Sequence, residues 1–124
     1  MDMERKGKER EAEEFLRDFH YKLNFWGLLI RTDRTNPKNT KTMLALGIKH
    51  AQVKEILEQL IPEDYSQGPL PDTMYHRSDL WVFGKMVKDK EIYIKIQMGP
   101  PNSETICVSF HFSEYRMSYP FKTN

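Results

Sequence analysis

The sequence predicts an α+β fold in which amino-terminal helices pack on one face of a small carboxyl-terminal antiparallel β-sheet. Apolar residues recur at three- and four-residue steps through the first half of the chain, and at two-residue steps after Asp79. Helices first and strands second is the order typical of α+β domains. A chain of 124 residues has the length of one domain, and we expect residues 11–124 to form it.

Composition favours a globular protein and argues against membrane-spanning, secreted and disulfide-rich classes. Apolar residues make up 39% of the chain and charged residues 30%, with a net charge of +1, which is typical of a globular protein. No apolar stretch is long enough to cross a bilayer, and the first residues lack the apolar core of a secretory signal. The single cysteine, Cys107, excludes an intrachain disulfide framework. We therefore expect a cytoplasmic protein with no membrane contact.

The first half of the chain predicts a charged, flexible start followed by three helices. Residues 1–10 are nearly all charged, so we expect them to be flexible. The amphipathic pattern begins at about Glu11, and glycines or a proline end each helix. The predicted spans are residues 11–26, 40–46 (capped by Asn39 or Thr40) and 49–60 for the helices and 28–30 for a short strand.

The segment 62–79 predicts a long surface loop. It contains four turn-forming residues, namely Pro62, Gly68, Pro69 and Pro71. Loops of this length without structure of their own are often functional.

Three strands follow, at residues 80–87, 91–98 and 105–112, joined by turns at 88–90 and 99–103. In the last two strands isoleucine, valine, phenylalanine and methionine alternate with polar residues. We expect the apolar side, which includes Ile106 and Val108, to pack on the helices. The aromatic tail, 115–121, is expected to pack on the sheet edge or the core.

The polar side of these strands carries the most informative residues. If the strands are antiparallel neighbours, Tyr93, Lys95 and Gln97 stand beside Cys107, Ser109 and His111. Depending on the hairpin register, Lys85 or Trp81 joins them from the preceding strand.

A phenol, an ammonium group and an imidazole together can perform acid–base chemistry near neutral pH. These groups suit metal-free cleavage of RNA: a base takes the 2′-hydroxyl proton, a cation stabilises the phosphorane, and an acid protonates the leaving 5′-oxygen. The alternative is that Tyr93 and Lys95 are ordinary strand-surface residues and that His111 merely hydrogen-bonds to the tail.

Other reactive side chains carry weaker signals. His20 and His50 are expected to be surface or capping residues, whereas His76 beside Arg77 is either a loop residue or a phosphate contact. Nothing in the sequence places a base beside Cys107. Metal-ligand spacings and phosphate-binding glycine loops are absent from the sequence, so we expect neither a metal site nor a nucleotide cofactor.

Charge is unevenly distributed. Residues 31–54 carry six basic residues against one acidic residue, a net of +5, and residues 55–64 carry four acidic residues and no basic one. The basic stretch predicts either a phosphate-binding patch or a solvated helix face.

Four segments in order resemble the MqsR family of bacterial toxins. They are Asp64-Tyr65-Ser66-Gln67-Gly68-Pro69, Trp81-Val82-Phe83-Gly84-Lys85, Ile92-Tyr93-Ile94-Lys95-Ile96 and Val108-Ser109-Phe110-His111. The likeness runs from about Phe15 onward and is greatest to a Bacteroidetes-type branch.

The resemblance implies a RelE-like fold and the activity of a metal-independent mRNA endoribonuclease, belonging to a type II toxin–antitoxin system and neutralised by an antitoxin. Position by position, the family's catalytic tyrosine falls on Tyr93 and the lysine after it on Lys95. The lysine that follows Ser-Phe in the family's last strand falls on His111. This chain departs from the family at Val82, in place of a glutamine, and at Ser66, in place of a lysine.

We therefore expect an mRNA interferase in which His111 acts as general acid or base, Lys95 stabilises the phosphorane, and Tyr93 orients the substrate or transfers a proton. Trp81 or Tyr65 would stack on a base, and Lys85 with the basic stretch would hold phosphates. The expected partners are mRNA, free or on the ribosome, and an antitoxin of the helix-turn-helix DNA-binding kind. Two alternatives stay open: a non-catalytic RNA- or ribosome-binding module, and a protein-interaction domain that docks through the aromatic tail (Tyr115, Tyr119 and Phe121).

Overall fold

The computed structural model describes residues 2–122 and confirms the α+β prediction. The helices are α1 (Asp2–Trp26), α2 (Lys38–Leu46) and α3 (His50–Glu58), followed by a 3-10 turn (Pro62–Asp64). The strands are β1 (Leu28–Ile30), β2 (Tyr65–Leu70), β3 (Leu80–Val87), β4 (Lys90–Gln97) and β5 (Thr105–Phe112).

The five strands form one sheet in the order β1-β5-β4-β3-β2. β1 runs parallel to β5, and the other neighbours are antiparallel. A two-residue turn at Lys88 and Asp89, both with positive φ, joins β3 to β4. The meander β3-β4-β5 therefore forms the centre of the sheet.

The core lies between α1, α3 and one face of this sheet, which we call the helix face. Phe15, Phe19 and Leu23 recur at helical spacing on α1 and are buried. The ring of Phe15 stacks on that of Trp81, with centroids 4.6 Å apart. Alternate residues of β4, including Ile94, complete the cluster. The opposite side of the sheet, the open face, carries no helix of the described chain.

Helix α1 begins earlier than the sequence predicts, at Asp2 rather than near Glu11. Residues 2–8 are all exposed, so they contribute no apolar stripe that a periodicity search could detect. Most of their side chains are nonetheless good helix formers.

The predicted loop over 62–79 is wrong in its first part. It contains the 3-10 turn and β2, and the irregular segment is only residues 71–79. β2 is an edge strand, which tolerates Pro69, and its pairing with β3 shifts register twice. Its glycine and proline therefore obscured a real strand.

Helix α2 begins at Lys38, and Asn39 does not cap it. The side-chain amide of Asn39 instead donates to the carbonyl oxygen of Val108 at 3.0 Å and accepts from the amide of Phe110 at 2.9 Å. Because β1 pairs only with Thr105–Cys107, α2 hydrogen-bonds the part of β5 that β1 leaves unpaired.

Candidate active site

The open face brings Tyr93, Lys95 and His111 together. In the β4–β5 register Tyr93 lies opposite His111, and Lys95 lies opposite Ser109. The rings of Tyr93 and His111 are stacked, with centroids 5.2 Å apart and planes 14° apart. The ammonium nitrogen of Lys95 is 5.9 Å from the centre of the Tyr93 ring. An imidazole, a phenol and an ammonium group thus share one small area.

A β-bulge in β5 determines which of its residues reach this face. Ile96 pairs with Cys107 while Lys95 pairs with Ser109, so Val108 is an extra residue. Cys107 therefore turns into the core, and its predicted place on the open face is wrong. Complete burial raises the pKa of its thiol to about 12. The bulge also overturns the uninterrupted apolar face predicted for β5, since Ile106 lies opposite Gln97, outside the helix-face cluster.

Gln97 is on the open-face side of β4 but is buried beneath the 71–79 loop. Its side-chain amide donates to the carbonyl oxygen of Ser78 at 2.8 Å and to the carboxylate of Asp72 at 3.3 Å. The loop thus closes this end of the open face, and the reactive residues that remain are those nearer the opposite end.

The hydrogen bonding of His111 defines its tautomer. Its Nδ1 lies 3.1 Å from the carbonyl oxygen of Phe112. A carbonyl only accepts, so this contact assigns the ring proton to Nδ1. In the neutral ring Nε2 then carries the free lone pair, which makes it the proton acceptor.

Tyr93 is suited to the complementary role of donor. Partial burial raises the pKa of its phenol above the ordinary value near 10. The hydroxyl therefore stays protonated throughout the neutral range, and it can donate a hydrogen bond or a proton.

These residues line the floor of a cleft of about 520 Å³. One wall is the segment that follows β5, residues 113–122, which we call the strap. The hydroxyl of Ser66 donates to the carbonyl oxygen of Ser118 at 2.7 Å, and the phenol of Tyr119 donates to Glu91 at 2.6 Å. Near the end of the strap Phe121 is buried against Tyr65, so this part of the tail packs on the core as predicted, whereas Tyr115 is 84% exposed.

Gly84 allows the strap to lie close to the sheet. It pairs with Tyr93 across β3 and β4. A methyl group at this position would lie 2.8 Å from the sulfur of Met117 and closer still to the hydroxyl of Tyr119. A glycine is therefore required for the observed wall of the cleft.

Trp81, Tyr65 and Lys85 do not reach the cleft floor. The rings of Trp81 and Tyr65 are buried in the core cluster, so neither is available to stack on a base. Lys85 points to the helix side, where its ammonium group is 3.1 Å from the carboxylate of Asp64. These positions conflict with the RNA contacts that the sequence predicts for the three residues. On β3, Trp81 and Lys85 alternate with the open-face residues, so both lie on the helix face.

Part of the predicted basic stretch does reach the site, although the sequence did not show which of its residues do so. Arg31 and Lys38 line a second groove that shares Ser109 and His111 with the cleft. Lys54, by contrast, lies 3.9 Å from Glu58 on α3. The two contributing cations come from the end of β1 and the start of α2, and only the tertiary fold places them beside β5.

The remaining histidines on helices have structural partners. Nε2 of His20 lies 2.8 Å from the carbonyl oxygen of Leu57, and Nε2 of His50 lies 2.6 Å from that of Leu28. Within residues 2–122, no group of three His, Cys, Asp or Glu side chains is arranged to hold a metal ion. None of the helices described is long and apolar enough to span a membrane.

Fold and site together define a small α+β domain with acid–base groups and cations in an open cleft. The chain belongs to the MqsR toxin family: the family model described as "Motility quorum-sensing regulator, toxin of MqsA" matches residues 19–112. Neither a curated protein nor a solved structure matches it significantly. Membership makes the chain a toxin of a toxin–antitoxin system, with an antitoxin as its partner. The strap follows the matched residues.

Proposed function

We propose that this toxin is an mRNA endoribonuclease that inhibits translation and growth until its antitoxin binds. The observation that carries the proposal is the clustering of Tyr93, Lys95 and His111 on the floor of one open cleft. The family supplies the biological setting of a toxin.

In the proposed reaction Nε2 of His111 takes the proton from a ribose 2′-hydroxyl. The 2′-oxygen attacks the adjacent phosphorus, and the ammonium group of Lys95 stabilises the extra negative charge. The bond from phosphorus to the 5′-oxygen breaks, and the phenol of Tyr93 orients the phosphate and supplies the proton to that oxygen. The products are a 2′,3′-cyclic phosphate and a 5′-hydroxyl. Side chains handle every proton and charge, so the proposed reaction requires no metal ion.

The proposed substrate is mRNA, free or on the ribosome, and the proposed site of action is the cytoplasm. By analogy with the family, we propose an antitoxin of the helix-turn-helix DNA-binding kind.

A non-catalytic RNA-binding module is the second candidate. It is favoured by the two departures from the family pattern, since Val82 is fully buried and apolar and the Ser66 hydroxyl is bonded to the strap. It predicts RNA affinity that falls with salt, without cleavage. The tail-docking alternative loses two of its three aromatic residues, because Phe121 is buried and Tyr119 is bonded to Glu91, and only Tyr115 is exposed.

The experiment is induction of the wild type and of the Tyr93→Phe/His111→Ala variant in a bacterial host, with 5′ ends of cellular mRNA mapped. We expect growth arrest and new 5′ ends with the wild type, and neither with the variant. A Tyr21→Phe variant, which removes the hydroxyl of an exposed tyrosine on α1, serves as the matched control and should arrest growth like the wild type. Normal growth and intact mRNA with soluble, folded wild type would overturn the proposal.

A further inference from the structure

A groove lined by part of the basic stretch continues from the cleft towards α2. Arg31, Asn36 and Lys38 line one side of this side groove, and Ser109 and His111 line the side shared with the cleft. We propose that the side groove binds a second phosphate of the RNA chain, the one that neighbours the scissile phosphate. This inference rests on the proposed function and extends it to a named subsite.

Two cations line this groove. The guanidinium carbon of Arg31 lies 4.1 Å from the centre of the Tyr75 ring, a cation–π contact that holds the side chain in place. Lys38 is the first residue of α2, and the residue at the N-cap position, Pro37, makes no side-chain capping hydrogen bond. The positive end of the α2 dipole therefore adds to the charge of Lys38.

A carboxylate of the protein itself already binds Lys38, where the phosphate would bind. Glu114, at the start of the strap, lies 2.6 Å from the ammonium nitrogen of Lys38. The hydrogen bond and the charge of Lys38 lower the pKa of Glu114, so its carboxylate is ionised at neutral pH. Glu114 also lines the main cleft, so it stands where the cleft and the side groove meet.

The other acidic residue of the side groove, Asp33, is bonded mainly within its own loop, and the charge of Arg31 also helps to lower its pKa. The carboxylate of Asp33 accepts the amide and the hydroxyl of Thr35, at 2.9 and 2.8 Å, within its own loop. A phosphate that enters the side groove therefore competes with Glu114 for Lys38.

Continuity with the cleft identifies the ligand class. The two depressions share His111 and Ser109, so one flexible polyanion can occupy both at once. Single-stranded RNA carries a phosphate at every nucleotide, and lysine and arginine bind such phosphates by charge rather than by sequence. The side groove thus adds affinity and sets the register of the chain on the catalytic residues.

The test is a salt series of binding to a fluorescein-labelled random-sequence RNA, with His111→Ala as the common background so that the probe stays intact. Loss of one phosphate contact at Lys38→Gln should weaken binding about fivefold at 0.1 M salt and reduce the slope of log K against log salt by about 0.7. Lys41→Gln is the matched control: it removes the same charge from the same helix, at an exposed position that lines neither depression.

The Glu114→Gln variant separates a role in RNA binding from a role in stability, because only the first predicts a change in RNA affinity. Without its carboxylate, Lys38 is free for the phosphate, so RNA binding should tighten, and thermal unfolding should change little. Equal effects of Lys38→Gln and Lys41→Gln on RNA binding, or no tighter binding by Glu114→Gln, would overturn this inference and leave the proposed function standing. Absence of RNA binding by the background variant and of cleavage by the wild type would overturn the proposed function as well.

Discussion

The two faces of the sheet come from the same strands and serve different purposes. In β4, Ile92, Ile94 and Ile96 point to the helices and are fully buried, while Tyr93 and Lys95 point to the cleft and are half-buried. Alternation along a strand thus assigns one set of residues to the core and the other to the cleft, where the proposed function places the chemistry. A substitution on the helix face should destabilise the protein, whereas one on the open face should inactivate a protein that keeps its stability.

The bulge at Val108 shows that counting alternate residues does not always predict the face on which a side chain lies. β5 would present Cys107 beside Ser109 and His111 if its alternation were unbroken, but one extra residue turns Cys107 inward. The open face therefore ends at Ser109. Substitutions on each face test this comparison.

The largest effect is expected on the open face. His111→Ala removes the proposed proton acceptor, so the rate of RNA cleavage should fall about 10²–10⁴-fold. Because His111 lies on the solvent side, the midpoint of thermal unfolding should barely move. Cleavage rates with an RNA oligonucleotide, measured beside a circular dichroism melt, check both expectations. A near-wild-type rate would remove His111 from the mechanism.

Trp81→Ala tests the helix face. Its ring fills the core against Phe15, so the free energy of unfolding should fall by about 3–5 kcal/mol, measured by urea denaturation. Trp26→Ala is the matched control, since Trp26 is 42% exposed, and its effect should be within about 1 kcal/mol. Weaker RNA binding by Trp81→Ala with unchanged stability would instead place Trp81 at the RNA.

Gly84→Ala tests the contact between the sheet and the strap. The added methyl group meets Met117 and Tyr119, so we expect a loss of about 1–3 kcal/mol in unfolding free energy and faster trypsin cleavage after Arg116. Gly7→Ala is the control: nothing lies within 4 Å of the added methyl on α1, and stability should rise by about 0.5–1 kcal/mol. Equal trypsin sensitivity of the two variants would argue against a strap seated on Gly84.

Alkylation of Cys107 tests the bulge without changing the protein. A thiol with a pKa of about 12 is ionised in about one molecule in ten thousand at pH 8, and this one is also fully buried. Iodoacetamide should therefore label the native protein very slowly, with reactivity rising with pH, and should label it rapidly in urea, where the pKa returns to its ordinary value. Rapid labelling of the native protein at pH 8 would put Cys107 on the open face.

Much of this arrangement follows from the sequence. The alternation of β4 and the last residues of β5 predicts the juxtaposition of Tyr93, Lys95 and His111, because paired strands place alternate residues on one face. The apolar periods of α1 and α3 likewise predict the core.

The remaining features depend on contacts between distant residues. A bulge is one extra residue with no composition of its own, so nothing in β5 distinguishes Cys107 from an open-face residue. The direction of Trp81 depends on the hairpin register, which the sequence leaves open. Lys38 and Glu114 are 76 positions apart, and only the packing of α2 on β5 brings them into contact.

The most direct measurement is the chemistry of the RNA ends. Purified protein free of antitoxin is incubated with an RNA oligonucleotide in EDTA, beside a DNA of the same sequence. We predict RNA fragments with 2′,3′-cyclic phosphate and 5′-hydroxyl ends, intact DNA, and no cleavage by the folded Tyr93→Phe/His111→Ala variant. Intact RNA with folded wild type, 5′-phosphate ends, or unchanged cleavage by the variant would contradict the account.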